Sequence, residues 1–145
     1  MERRVGTLLA QVARLMRRAF DERAKEVGVT RPQWQVLGVL QRYPGINQGG
    51  LAEILEVEPI TAGRMIDRMQ ESGLVERRAD PADRRAWRLH LTRRGGDIIE
   101  LLQPLAMETS NEALQGISGA DTAHLVHTLE RMLENLTGKP TAEAW

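Results

Sequence analysis

Two short segments of helical period, followed at once by two short segments of strict alternation, constrain this chain more than any other feature of its 145 residues. In NQGGLAEILEVEPITAGRMIDRMQESG, Leu51, Ala52, Ile54 and Leu55 mark one short helix, and Glu56, Val57 and Glu58 make a tight connection. Pro59 opens a second helix, at a position where its missing N–H is harmless. Ile60, Met65, Ile66 and Met69 supply the apolar stripe of that helix, and Gly73 closes it as a C-cap. Directly afterwards LVERRA and AWRLHLT alternate as strands do. Val75, Trp87, Leu89 and Leu91 are their apolar anchors, and the turn-rich DPADRR lies between them. Two short helices across a tight turn form a helix-turn-helix, and a hairpin behind it makes the motif winged. The fold class that follows is mainly α with a small β-hairpin wing.

The flanks are helical. Val5, Leu8, Leu9, Val12, Leu15, Met16, Ala19 and Phe20 recur at helical spacing between charges, which predicts an amphipathic helix of about six turns ending near Gly28. In VTRPQWQVLGVLQRYPG, Thr30 is an N-cap, Gln33 completes a capping box, and Val29 with Trp34 forms a hydrophobic staple. Pro44 and Gly45 stop that helix. From about Asp97 to Thr137 two further helices are expected, the first kinked at Pro104. Gly116 and Gly119 bound the turn between them. The expected organisation is a single domain over residues 1–145: a winged lobe at 30–95, terminal helices at 1–28 and 97–137, and a loose tail at 138–145. The terminal helices carry more apolar residues than a small central lobe can cover, and a second copy of the chain would bury the surplus.

Net charge is zero, but the charges are segregated. Residues 1–34 and 60–94 each carry a balance of +4, residues 35–59 carry −2 and residues 95–145 carry −6. Such a pattern presents a basic face while an acidic segment restrains non-specific binding. Arginine outnumbers lysine, as suits planar contacts to phosphate and base edges, although GC-rich coding accounts for it equally well. The absence of cysteine excludes disulfides, thiolate metal sites and thiol redox sensing. No apolar run is long enough to span a membrane. Gln11 and Arg14 interrupt the only apolar stretch near the start, so a cytoplasmic protein is expected.

A winged helix-turn-helix places its second helix in the major groove of DNA, about 12 Å wide. Thr61, Arg64 and Arg68 lie on that helix, with the backbone amide of Ile60 beside Pro59 at its N-terminus and Gln48 ahead of the first helix offering a phosphate contact. Arg64 suits guanine, since its fork pairs with O6 and N7. Arg84 and Arg85, at the hairpin tip, suit a narrow minor groove, and Asp83 beside them would brace one guanidinium. Taken singly, Arg64 and Arg68 read first as solvated charges, with Asp67 and Glu71 giving local ion pairs. Gln48 reads first as an ordinary loop residue, and Trp87 reads as a core anchor under the wing rather than a stacking platform.

The stretch GLAEILEVEPITAGRMIDRMQESGLVERRADPADRRAWRLHLTRRG resembles the MarR family of bacterial transcriptional regulators, close to its SlyA branch, through GLVER, DPADRR and LHLTRRG. The resemblance implies a homodimeric repressor, joined by its N- and C-terminal helices, that sets one winged motif on each half of a pseudo-palindromic operator. It assigns the minor-groove role to Arg84 and Arg85, without choosing between them, and the recognition-helix arginine to Arg64. Many members of this family bind small aromatic acids between the dimer helices and the DNA-reading lobe. The matching positions here are Arg14, Arg17, Pro32, Trp34 and Gly38, although Pro32 and Gly38 replace side chains that can hydrogen-bond in the SlyA-like pattern. Trp34 as plain core is the competing reading.

Other chemistries find little support. His124 and His127, with Glu130 beyond, are the only approximation to a zinc site, and their i, i+3 spacing lacks a third ligand. There is no Gly-rich phosphate loop, no G-x-S-x-G and no paired His–carboxylate constellation, so neither an enzyme nor a cofactor is expected. The alternative is a protein-interaction module that keeps the winged fold without binding an operator.

Overall fold

The computed structural model describes residues 4–140; residues 1–3 and most of the expected tail, 141–145, lie outside the described residues. The elements run α1 Val5–Glu26, α2 Arg31–Arg42, α3 Gln48–Leu55, α4 Pro59–Glu71, β1 Val75–Ala79, β2 Trp87–Leu91, α5 Arg93–Ala113 and α6 Gly119–Thr137. The mainly helical class with one small hairpin is therefore the observed one. The chain divides into two units, one up to Thr109 and one from Ser110, the boundary falling inside α5.

In the first unit the core forms around α2. Its Val36, Leu37, Val39 and Leu40 are buried against Leu51 and Ala52 of α3, Ala62, Ile66 and Met69 of α4, and Leu74, Val75 and Leu89 of the hairpin base. Ala24, Val29, Ile99 and Leu102 complete it. The start of α2 follows its sequence: Thr30 Oγ1 accepts from the amide of Gln33, and the Gln33 side chain accepts from the amide of Thr30 at 2.9 Å. Asn47 caps α3 in the same manner, accepting from the amide of Gly50 at 2.8 Å. The α3–α4 turn needs a left-handed residue and uses Glu56, at φ 56°, in place of the usual glycine.

The two strands pair antiparallel, Val75 with Leu91, Arg77 with Leu89 and Ala79 with Trp87. Gly45 and Ile46 extend the pairing: the amide of Gly45 donates to Leu89 O and the amide of Leu89 to Ile46 O, both at 2.9 Å. A lone two-stranded hairpin is marginal in water, and this third backbone segment holds its base to the α2–α3 connection.

The LTRRG stretch does more than begin a loop. Thr92 caps α5, which starts at Arg93 rather than near Asp97: its hydroxyl accepts from the amide of Gly95 at 3.1 Å and donates to Gly73 O at 2.6 Å. Gly95 is buried, and a Cβ there would lie 2.2 Å from Leu74 O. The helix continues past Pro104 to Ala113. In the second unit α6 begins at Gly119, so this glycine is the first helical residue rather than part of the turn, and Ser118 caps it by accepting from Asp121 at 3.1 Å. Gly116 takes the left-handed conformation in the turn, at φ 80°. No residue of α6 is buried.

Asp21 ties α1 to α2. Its carboxylate accepts from Arg31 Nε at 2.6 Å and Trp34 Nε1 at 2.7 Å. Burial pushes its pKa up, but the hydrogen bonds from Arg31 and Trp34, with the charges of Arg31 and Arg17, outweigh burial and leave the pKa below the usual value. A carboxylate with a lowered folded pKa contributes stability above its unfolded pKa and loses that contribution as pH falls through the folded one. Asp21→Asn should therefore reduce stability at pH 7 by roughly 1 kcal/mol, a modest figure because Arg31 is well exposed. The gap in melting temperature to the wild type should be full above about pH 4 and narrow as pH falls from there through the lowered folded pKa; a gap that did not change with pH would contradict the ionic origin. Gly95→Ala should cost about 1–3 kcal/mol through forced backbone displacement, measured by urea denaturation, whereas Gly96→Ala, which meets nothing within 4 Å, should not destabilise.

Candidate nucleic-acid interface

The second helix of the motif divides cleanly by face. Ala62, Gly63, Ile66 and Met69 of α4 are buried, while Ile60, Thr61, Arg64 and Arg68 are exposed. Pro59 sits at the first helical position, as its fixed φ and absent donor favour. Among the described residues, the guanidiniums of Arg64, Arg68, Arg84 and Arg85 make no ion pair or hydrogen bond within the chain, so the local pairing of Arg64 and Arg68 with Asp67 and Glu71 is not formed.

Asp67 is engaged elsewhere. Arg77, on β1 opposite Leu89, reaches it at 2.7 Å, donates to Gln70 Oε1 at 2.7 Å and approaches Gly63 O at 3.4 Å. One guanidinium thus fastens the wing to three positions along α4. Sequence reading passed over Arg77, yet a signal was present: alternation puts it on the inward face of the hairpin, where a charge must find a partner.

The wing tip is built by its two aspartates. Asp80 Oδ1 accepts from the amide of Ala82 at 2.8 Å, and Asp80 Oδ2 pairs with Arg88 Nε at 3.1 Å. Asp83 Oδ1 accepts from the backbone amide of Arg85 at 3.0 Å. Asp83 therefore braces the loop backbone beneath the arginines, and its partner is an amide rather than a guanidinium. Arg84 and Arg85 are left exposed at the end of a loop closed by the bond from the Asp80 amide to Ala86 O at 3.1 Å.

Two further residues stand differently from expectation. Gln48 Nε2 donates to Pro59 O at 2.9 Å, and its amide lies where a Cβ on Gly63 would come within 2.7 Å. Gln48 joins the starts of α3 and α4, and that role absorbs at least one of its two donors. Trp87 is not a core anchor: it is 52% exposed, against 1% for Leu89 two residues on. They share a face, but Trp87 pairs with Ala79 at the far end of the strand, beyond the edge of the core. His90 is half-buried beside Gly45.

Between α1, α2 and α5 lies a cavity of about 290 Å³, walled by Phe20, Trp34, Leu37, Ile99 and Leu102, with Gln41, Arg42 and Gln103 as its polar groups. Of the five residues expected at a ligand site, Trp34 and Gly38 line it, whereas Arg14 and Arg17 on α1 and Pro32 at the start of α2 are exposed and outside its wall. Trp34 is held edge-on to Phe20, ring centres 5.0 Å apart, with its N–H committed to Asp21. His124, His127 and Glu130 are not gathered into a metal-holding group among the described residues. No helix among those residues is long and apolar enough to cross a membrane.

Comparison with known proteins agrees with this architecture. The model of the MarR family matches residues 27–86, from the end of α1 through the wing tip. The crystal structure of the transcriptional regulator PA3341 is similar at 35% identity and a TM-score of 0.78, over 92% of this chain and 98% of that one. That of the transcriptional regulator SlyA is similar at 28% identity and a TM-score of 0.76, over 91% and 93%. A mutant MarR from E. coli, crystallised with operator DNA, is similar at 27% identity and a TM-score of 0.74, over 89% and 93%. The winged motif, its capped helices and these likenesses place the chain in the MarR family of transcriptional regulators.

Proposed function

We propose that the chain is a cytoplasmic, homodimeric repressor that binds a pseudo-palindromic operator and is released from it by a small aromatic acid. The observation that carries the DNA-reading part is the division of arginines on the winged lobe. Arg77 and Arg88 are spent inside it, while Arg64 and Arg68 on α4 and Arg84 and Arg85 at the tip are exposed and unpaired. Four cations held on a fixed frame suit a polyanion. With α4 in the major groove, Arg64 reads a base edge and Arg68 a phosphate, while an arginine of the wing enters the flanking minor groove. The MarR relative crystallised with operator DNA supports the same use of the fold.

The homodimer is supported by exposed apolar stripes. Val5, Leu8, Leu9, Val12 and Leu15 of α1 are each at least 36% exposed, and Leu125, Val126 and Leu136 of α6 at least 43%. Such surface invites burial against a second copy. Two subunits would set two copies of α4 on half-sites about 34 Å apart, so a ligand that alters their spacing weakens simultaneous docking. Such a ligand acts only by binding the DNA-incompetent arrangement more tightly. The cavity beside Trp34 suits one aromatic ring, with Gln41 and Gln103 in its wall to hydrogen-bond a carboxylate.

Three outcomes are expected. A duplex carrying one half-site should bind far more weakly than the full palindrome, and a dimer should sediment in its absence; equal binding of half and full sites contradicts the paired docking. Arg64→Ala should cost about 1–3 kcal/mol per half-site and relax preference at one base pair, read from competition against single-base variants. Benzoate should lower operator affinity in the wild type and not in Trp34→Ala; no heat on titration of any aromatic acid and an unchanged operator affinity would remove the effector from the account.

A further inference from the structure

Ile60 is the most exposed large apolar side chain of the lobe from α2 to β2, at 65%. It has none of the reasons that keep an isoleucine in a core, and it stands on the one face of α4 that is otherwise polar or cationic: Thr61 is beside it, and Arg64 and Arg68 follow at four-residue intervals, all exposed. Its position is also held. Pro59 fixes the backbone immediately before it, and Gln48 Nε2 grips Pro59 O, the carbonyl of the peptide bond that leads into Ile60, at 2.9 Å. A β-branched side chain on a helix has essentially one favoured χ1 rotamer, so its methyl groups project in a set direction.

An apolar group fixed within a cationic face fits a partner that presents an apolar group within an anionic surface. The major groove offers one such group, the C5-methyl of thymine. Isoleucine cannot donate to a phosphate or a base edge, so contact with that methyl is the discrimination its side chain can supply. Side chains four apart on a helix are about 5–6 Å apart at Cβ, and successive bases of a strand rise about 3.4 Å. We propose that Ile60 reads the C5-methyl of a thymine lying about one or two base pairs from the base contacted by Arg64. The assignment rests on the operator-reading function above and deepens it.

The test begins by enriching the preferred duplex from a random pool with the full-length protein, then replacing each thymine in turn by uracil, which removes only the methyl. One thymine in each half-site should lose about fourfold in affinity on that replacement, the factor expected from one buried methyl. Ile60→Ala should bind the thymine and uracil duplexes equally while keeping the wild-type melting curve, as an exposed site allows. A specific duplex with no uracil-sensitive thymine would overturn the role of Ile60 and leave operator reading intact. A uracil penalty that persisted in Ile60→Ala would assign the methyl to another residue and overturn it as well. Failure of any duplex to be enriched would instead strike the operator-reading function itself.

Discussion

Arg77 holds the geometry on which the rest of the lobe depends. A two-stranded hairpin has little stability of its own, and the inward face of this one carries a guanidinium between Val75 and Ala79. The charge is accommodated because α4 supplies Asp67, Gln70 and the carbonyl of Gly63 along a single edge. The wing is thereby referenced to α4, while the Thr92 hydroxyl and the close approach at Gly95 reference its base to the start of α5. Two elements proposed to enter adjacent grooves must keep their separation, since small misplacement forfeits simultaneous contact. Polar side chains that touch only the protein set that separation here.

The same economy governs the electrostatics. Inside the lobe, Asp67, Asp80 and Asp83 each serve a structural partner: a guanidinium, a guanidinium with a loop amide, and a loop amide. These three carboxylates are thus occupied internally, and Arg64, Arg68, Arg84 and Arg85 are left to solvent. A chain with no net charge can present a local positive field in this way. Outside the DNA-facing region, Asp21 places Trp34 at the cavity wall by taking its N–H, which leaves the ring itself as an apolar surface.

Much of this was legible in the residues, because caps and periods are local. Thr30 with Gln33, Pro59 and the alternation of LVERRA and AWRLHLT each encode their element within a few positions. Errors arose where the deciding partner was distant in sequence. The bond from Gln48 to Pro59 crosses a turn and has no local signal, and Trp87 looked like core because alternation gives the face of a strand and not where the core ends. The start of α5 was placed late because arginine and glycine pairs resemble a loop, whereas Thr92 caps a helix and Gly95 is required by the approach of Leu74. Asp83 was assigned to a guanidinium beside it, but an Asx-type bond to an amide two residues on is the shorter reach. Arg14 and Arg17 lie outside the cavity wall to which Trp34 and Gly38 contribute, a placement that resemblance alone does not give.

The most direct test of the account is fluorescence anisotropy of the full-length protein on duplex DNA from upstream of its own gene, over a range of salt concentrations, with a scrambled duplex as competitor. The account predicts preferential binding to the upstream duplex, with log affinity falling linearly with log salt at a slope of about −0.9 for each phosphate neutralised. Arg84→Ala with Arg85→Ala should make that slope shallower while the fold is retained. Binding no tighter than to the scrambled duplex, or a slope unmoved by loss of both wing arginines, would contradict it.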